Sequence, residues 1–258
     1  MKFATVNAKT NDPDGKSMDV HLGIACPMAN EEATCSEFVQ ALLAGCSKYP
    51  FRQVSCFVVV DTASKDRTRQ RLNELAGTEP RLRVVWAPEN RGFVDAYVRG
   101  YREAIAAGCD WILEIDGGFS HDPADALKFF NKMAEGYDCV FGTRLAAGGG
   151  FEDVSAKRRT ISRLGTIATN ALLGTRLTDM TSGYQLFTRE ALQMVLKRGI
   201  RSKAHFFQTE IKVYCRNLKC AEVPISYRHP NPQLSNAAVM EAVARLGSLV
   251  GLRWSGRL

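Results

Sequence analysis

The stretch DWILEIDGGFSHDP, Asp110 to Pro123, climbs through apolar residues to Asp116 and then breaks into Gly117 and Gly118. A buried strand ending this way delivers one carboxylate to its tip, where a hard cation or a phosphate could meet it. Such cations are usually held by two carboxylates, and only one stands here. Four other polar residues fall just past apolar runs of the same kind: Asn30, Asp61, Asn90 and Arg144. Gathered at one rim, these groups would suit a phosphate-bearing ligand and its counter-ion. Taken singly, each would serve equally well as a helix cap or a turn residue.

The elements that must position them alternate in type. VHLGIAC (20–26), SCFVVVD (55–61), RVVWA (83–87), WILEID (111–116) and DCVFGT (138–143) read as short apolar strands. SCFVVVD has no polar alternation, as expected of a strand covered on both faces. Helical stripes fall between them, with Phe38, Val39, Leu42, Leu43 and Cys46 on one face of the first. Helices are also expected over 67–76, 92–108 and 123–135. Repeated strand–helix units predict a mostly parallel sheet flanked by helices, with ligands beyond the carboxyl ends of its strands.

Past Phe151 the pattern changes. A basic helix (154–174) precedes a strand entering a helix (182–192), a further helix (205–218), a closing strand (220–227) and an amphipathic helix (237–254). The division expected is a flexible leader (1–18) and one domain (19–258). Its front half, 19–145, would bind the nucleotide, and its back half, 146–258, would serve the acceptor.

The 258 residues carry a formal charge of +7, which favours anionic partners such as nucleotides or acidic lipids. Nucleic acid is not expected, because the basic residues are scattered over many elements and no recognition module appears. The eight cysteines form no CxxC pair, so they read as reduced core residues of a cytoplasmic protein. No apolar run reaches the roughly 18–20 residues of a membrane-spanning helix.

Nine segments in order carry a resemblance: ANEEATCSEFV, VVVDTASKDRT, ENRGFVDAYVRGYREA, EIDGGFSHDP, FGTR, KRRTISRLG, TDMTSGYQLF, FFQTEI and AEVPISY. Together they resemble family 2 glycosyltransferases, most closely the dolichol-phosphate (polyprenol-phosphate) mannosyltransferase branch. The resemblance implies a single-domain α/β fold of glycosyltransferase A type, Rossmann-like. It also implies an inverting transfer of a hexose from a nucleoside-diphosphate sugar, with GDP-mannose favoured.

Cleavage of such a donor piles charge on the diphosphate, which needs cations and hydrogen-bond donors. The resemblance implies Mg²⁺ or Mn²⁺ held by Asp116, with Ser120 as a further ligand. The family's second carboxylate is here Gly118, so the metal is expected to be weakly bound. An aspartate restored at 118 is expected to strengthen the site if the backbone follows the family's path. Pro27, Asn30, Glu31 and Asp61 match the nucleoside end, although Thr62 and Ala63 depart from the family there. Asn90, Gly92, Gly117 and Gly118 match the turns that approach the ligand. Arg144, Lys157 and Arg163, with Arg158 and Arg159, match positions facing donor and acceptor phosphates.

Asp179 and Glu210 are the candidate general bases for a hydroxyl or amine acceptor; a lipid phosphate arrives ionised and needs none. His121 reads as a turn residue. The tail RHPNPQLSN (228–236) departs from the family, which leaves two acceptors open: a polyprenyl phosphate, or a soluble natural-product-type molecule. A catalytically weak sugar-nucleotide-binding subunit is a third reading. A lipid acceptor would be met peripherally on the membrane or through a membrane partner subunit. The terminal helix, with Arg245, Arg253 and Arg257 beside its apolar stripe, would either lie in the interface or pack on its own domain.

Overall fold

The computed structural model describes residues 18–152, 154–228 and 235–258. In chain order the elements are β1 (Met18–Pro27), α1 (Cys35–Cys46), β2 (Phe51–Val60), α2 (Thr68–Ala76), β3 (Leu82–Trp86), α3 (Phe93–Ala106), β4 (Trp111–Glu114), α4 (Ala126–Ala134), β5 (Cys139–Thr143), β6 (Gly150–Phe151), α5 (Ala156–Leu173), β7 (Gln185–Thr188), α6 (Arg189–Arg198), α7 (Phe206–Tyr214), β8 (Cys220–Pro224), β9 (Ser226–Tyr227) and α8 (Asn236–Trp254). Of the expected leader, residues 1–17 lie outside the described residues, and Met18 already belongs to β1. Most of the divergent tail, 229–234, also lies outside them.

Seven strands form one sheet in the order β3-β2-β1-β4-β7-β5-β8. All neighbours run parallel except β7, which lies antiparallel between β4 and β5. β2 shows why its apolar run is unbroken. Cys56, Val58 and Val60 enter the core under α1, α2 and α4, while Phe57 points to the core under α3, α6 and α7. Successive side chains alternate across a strand, so a sheet covered on both faces needs apolar residues at every position.

Helix α3 lies unusually close to the sheet. A Cβ on Gly23 of β1 would stand 2.8 Å from the Cys109 sulfur and 2.9 Å from the Ala104 Cβ; one on Gly100 would stand 3.0 Å from the Ala25 Cβ. The absent side chains let this helix settle onto β1, and that contact fixes the helix start at the carboxyl rim. All eight cysteines are free thiols, and burial pushes Cys46 and Cys109 up to about 12.

The terminal helix packs on its own domain. Leu249 is fully buried, and Leu246, Val250 and Leu252 lean on the same core. Of the two placements left open for this helix, the structure shows packing on the domain, and two of its arginines bond to neighbouring elements. Arg245 meets Glu210 at 2.7 Å, and Arg253 donates to the Leu172 carbonyl at 2.7 Å. Among the described residues no helix is long and apolar enough to cross a membrane.

Candidate active site

A cavity of about 810 Å³ opens beyond the carboxyl ends of β1, β2, β4 and β5, where the strand-end residues were expected to meet. Asp61, Asn90, Asp116 and Arg144 line it, as do Pro27, Glu31, Gly92 and Ser120. Gly117 and Gly118 form its floor beside Asp116. Asn30 does not line it. Its backbone sits in the left-handed region at φ 60°, and its side chain staples two loops, donating to the Ala63 carbonyl and accepting from the Lys65 amide at 2.9 Å. Asn30 therefore braces these two loops from behind the cavity.

The same loop pair is knotted by Asp66. Its carboxylate accepts from Ser64, from Thr68 and from the Glu32 amide. Thr68 in turn accepts from the Glu31 amide at 2.7 Å. Glu31 is thereby held at the rim, and its Oε2 accepts from Thr34 at 2.7 Å. Asp61 takes the Ala63 amide on one oxygen and the Asn90 side chain on the other, 2.9 and 3.1 Å away. The two strand ends thus lock each other.

Asp116 is gripped from α3: Tyr97 donates to its Oδ1. On its other oxygen it faces His121 Nε2 at 3.7 Å. His121 is buried, bridges to Tyr227 and leaves its Nδ1 unpaired. Burial pulls this imidazole down to about 4, against the opposing pull of Asp116, so it is neutral near pH 7. It is a lining group of the cavity rather than only a turn residue.

The backbone at Gly118 does not suit a side chain. Its φ is +84°, and a Cβ there would fall on the Glu31 carboxyl group, 2.5 Å from Oε1. Gly117 is equally closed, its Cβ direction ending 2.5 Å from Met28 Cγ. An aspartate at 118 would have to adopt a positive φ and move the Glu31 carboxyl group aside.

Arg144 lines the cavity but is not loose. Its Nε and Nη2 meet the two oxygens of Asp179 at 2.8 and 3.0 Å, and its guanidinium lies over the Phe151 and Tyr227 rings. Burial pushes the Asp179 carboxyl up, but the Arg144 charge outweighs this and holds it well below the usual carboxylate range. Asp179 is fully buried and is not among the residues that line the cavity.

Glu210 is also withdrawn. It accepts from Ser202, Tyr214 and Arg245 at 2.6 to 2.8 Å, on the α8 side of α7. Its neighbour at two residues' distance, Gln208, is the one that lines the cavity. Residues two apart on a helix point roughly 200° apart, so FQTEI could present one of them and not both. The basic helix behaves likewise. Arg158 lines the cavity, whereas Lys157 and Arg163 are exposed elsewhere on α5, one and five residues away.

Sequence reasoning passed over Tyr97 and Gln208. Both sit in segments that looked like apolar packing, and only the fold shows that their polar ends reach the rim. Behind the rim, Tyr101, Gln185 and Gln208 all donate to buried Glu114. The cavity thus presents carboxylates from Glu31, Asp61 and Asp116 beside cations from Lys65, Arg91, Arg144 and Arg158. Oxygen donors for a hard cation and guanidinium groups for phosphate meet in one space.

Comparison with known proteins agrees with this geometry. Residues 24–196 match the family described as Glycosyl transferase family 2. Undecaprenyl-phosphate mannosyltransferase of Micrococcus luteus is 29% identical over 205 residues, 77% of this chain and 84% of that protein. Polyprenol monophosphomannose synthase of Mycolicibacterium smegmatis is 27% identical over 207 residues, 78% of this chain and 77% of that protein. Among solved structures, glucosyl-3-phosphoglycerate synthase from Mycobacterium tuberculosis, in complex with Mn²⁺, UDP and glucosyl-3-phosphoglycerate, shares the fold. Its TM-score is 0.67 over 90% of this chain and 80% of that one, at 18% identity.

Proposed function

This chain belongs to glycosyl transferase family 2, and we propose that it moves a hexose from a nucleoside-diphosphate sugar to a polyprenyl phosphate, with inversion. A GDP-hexose such as GDP-mannose is the favoured donor, in keeping with the two mannosyl-transferring relatives. The observation that carries the acceptor assignment is the withdrawal of Asp179 and Glu210. Both carboxylates that the sequence offers as general bases are buried away from the cavity in hydrogen-bonded pairs. A phosphate monoester is already ionised, so its oxygen attacks the anomeric carbon without a base. The bond from that carbon to the diphosphate breaks on the opposite face, and the nucleoside diphosphate leaves with the electron pair.

The chain's own groups have separable tasks in this reading. Asp61, Asn90 and the Asn30-stapled loops hold the nucleoside. Arg144, fixed by Asp179, and Arg158 face the phosphates and offset the charge that develops as the bond breaks. Asp116, with the hydroxyl of Ser120, would hold Mg²⁺ or Mn²⁺, which when bound neutralises the diphosphate. The oxygen-only donor set fits such an ion. Lys157 and Arg163, exposed on α5, would serve at most in approach of an anionic surface. Leu164, Ile167, Met240 and Val243 remain exposed on the adjoining helices α5 and α8 and would suit the polyprenyl tail or a membrane face.

The test is a transfer assay with GDP-mannose and UDP-glucose as donors, each offered a short polyprenyl phosphate or a water-soluble hydroxyl acceptor. Transfer to the lipid phosphate is expected. Transfer only to the soluble hydroxyl would overturn the acceptor assignment. Nucleotide binding without any turnover would leave a sugar-nucleotide-binding subunit.

A further inference from the structure

We propose that Glu31 supplies the second carboxylate of the metal site, taking over from outside the β4 loop the place that Gly118 leaves without one. The inference rests on the transferase reading above and adds a ligand to it. Glu31 and Asp116 come from different strand ends, yet both line the cavity beside Ser120. The direction in which any side chain at 118 would grow ends in the Glu31 carboxyl group. A side chain at 118 would therefore have to displace the Glu31 carboxyl group from the place it holds.

Glu31 is also built for the task. Its amide is tied to Thr68 and its Oε2 to Thr34, so the side chain is aimed rather than wandering. Its Oε1 accepts no hydrogen bond from the described residues, and neither Glu31 nor Asp116 has an Arg or Lys ion-pair partner among them. A divalent ion between two carboxylates that share a cavity offsets their mutual repulsion. Among the described residues no cluster of three or more His, Cys, Asp or Glu side chains stands ready for a metal. The ion would therefore be completed by Ser120, water and the oxygens of the diphosphate, the usual habit of Mg²⁺.

The test measures Mn²⁺ binding by the full chain, by electron paramagnetic resonance and calorimetry, with Mn²⁺ alone and with Mn²⁺ plus GDP or UDP. Glu31→Gln keeps an oxygen for Thr34 and removes only the charge. It is expected to weaken the binding of Mn²⁺ alone by about 10–100-fold. Gly118→Asp alone is expected to weaken binding as well, because it collides with Glu31. Glu31→Ala combined with Gly118→Asp clears the space and returns a carboxylate, so Mn²⁺ affinity should recover relative to Glu31→Ala. Wild-type Mn²⁺ affinity in Glu31→Gln, or an increase in Gly118→Asp, overturns the assignment while leaving the transferase reading intact. A wild-type chain that binds neither Mn²⁺ nor nucleoside diphosphate overturns both.

Discussion

Replacing Asp179 by Asn separates an orienting residue from a general base. The carboxylate is fully buried and accepts five hydrogen bonds: three from Arg144 and two from Thr181, at 2.8 to 3.1 Å. Asparagine keeps one acceptor and turns an NH₂ donor toward a guanidinium that has only donors to offer. Breaking a buried ion pair in this way costs about 3–5 kcal/mol. For a chain of this length that corresponds to a Tm lowered by roughly 6–20 °C. Arg144 should also lose its aim, so transfer falls, but the residual activity should keep the wild-type pH profile. Adding Arg144→Met to the same chain removes the stranded charge, and the pair should be less destabilised than the sum of the two single changes. The assays are thermal unfolding and the pH dependence of kcat. An Asp179→Asn protein that melts within about 2 °C of wild type yet loses the acid limb of its kcat profile would restore the general-base role and refute this reasoning.

Three further outcomes follow from the same packing. Glu210→Gln should cost about 2–3 kcal/mol by stranding Arg245 between α7 and α8, while donor affinity measured by calorimetry stays unchanged; a selective loss of donor binding would place Glu210 in the site after all. Burial lowers the Lys212 amine from 10.5 to about 8 against the pull of Asp179, so between those values the unfolded chain holds a proton that the folded chain does not. Stability carried by this group therefore rises with pH across that window by roughly 1.4 kcal/mol per unit, and urea midpoints at its two ends should show the slope in wild type and lose it in Lys212→Met. Gly23→Ala should destabilise by about 1–3 kcal/mol, because its methyl meets Cys109 and Ala104, and should lower donor affinity by tilting α3; an unchanged melting curve would mean that α3 has slack.

The rim of the sheet was legible because unbroken apolar strands end abruptly, and the first polar residue after each run must surface at the carboxyl edge. Asp61, Asn90, Asp116 and Arg144 were placed that way, and all four line the cavity. What local pattern could not show is who meets whom across the fold. Asp179 and Glu210 looked reactive because their partners, Arg144 and Arg245, lie 35 residues away in each case. In space, each of these carboxylates sits in a buried ion pair. The Gly118 loop shows the reverse. Read in sequence it lacks a carboxylate, and only in space does Glu31 occupy that position. The antiparallel β7 was hidden for a similar reason, since QLFT reads as a strand in either direction.

The coupling between α3 and β4 explains how a diverged site can keep its geometry. Tyr97 and Tyr101 stand four residues apart on α3, about 6 Å along its axis. Asp116 and Glu114 stand two residues apart along the β4 strand and its extension, about 6.6–6.8 Å. Ile115 continues that strand by donating to the Ala25 carbonyl. The two spacings nearly coincide, so the phenols meet the carboxylates as two rungs, Tyr101 on Glu114 and Tyr97 on Asp116. Gly23 and Gly100 bring the helix close enough for the rungs to form. The inner rung is sealed: burial raises Glu114 to about 8 against the opposing pull of its hydrogen bonds from Tyr101 and Gln208. The outer rung lines the cavity, its carboxylate partly exposed. The position of Asp116 is thus set by helix–strand packing and not by the glycine loop that follows it.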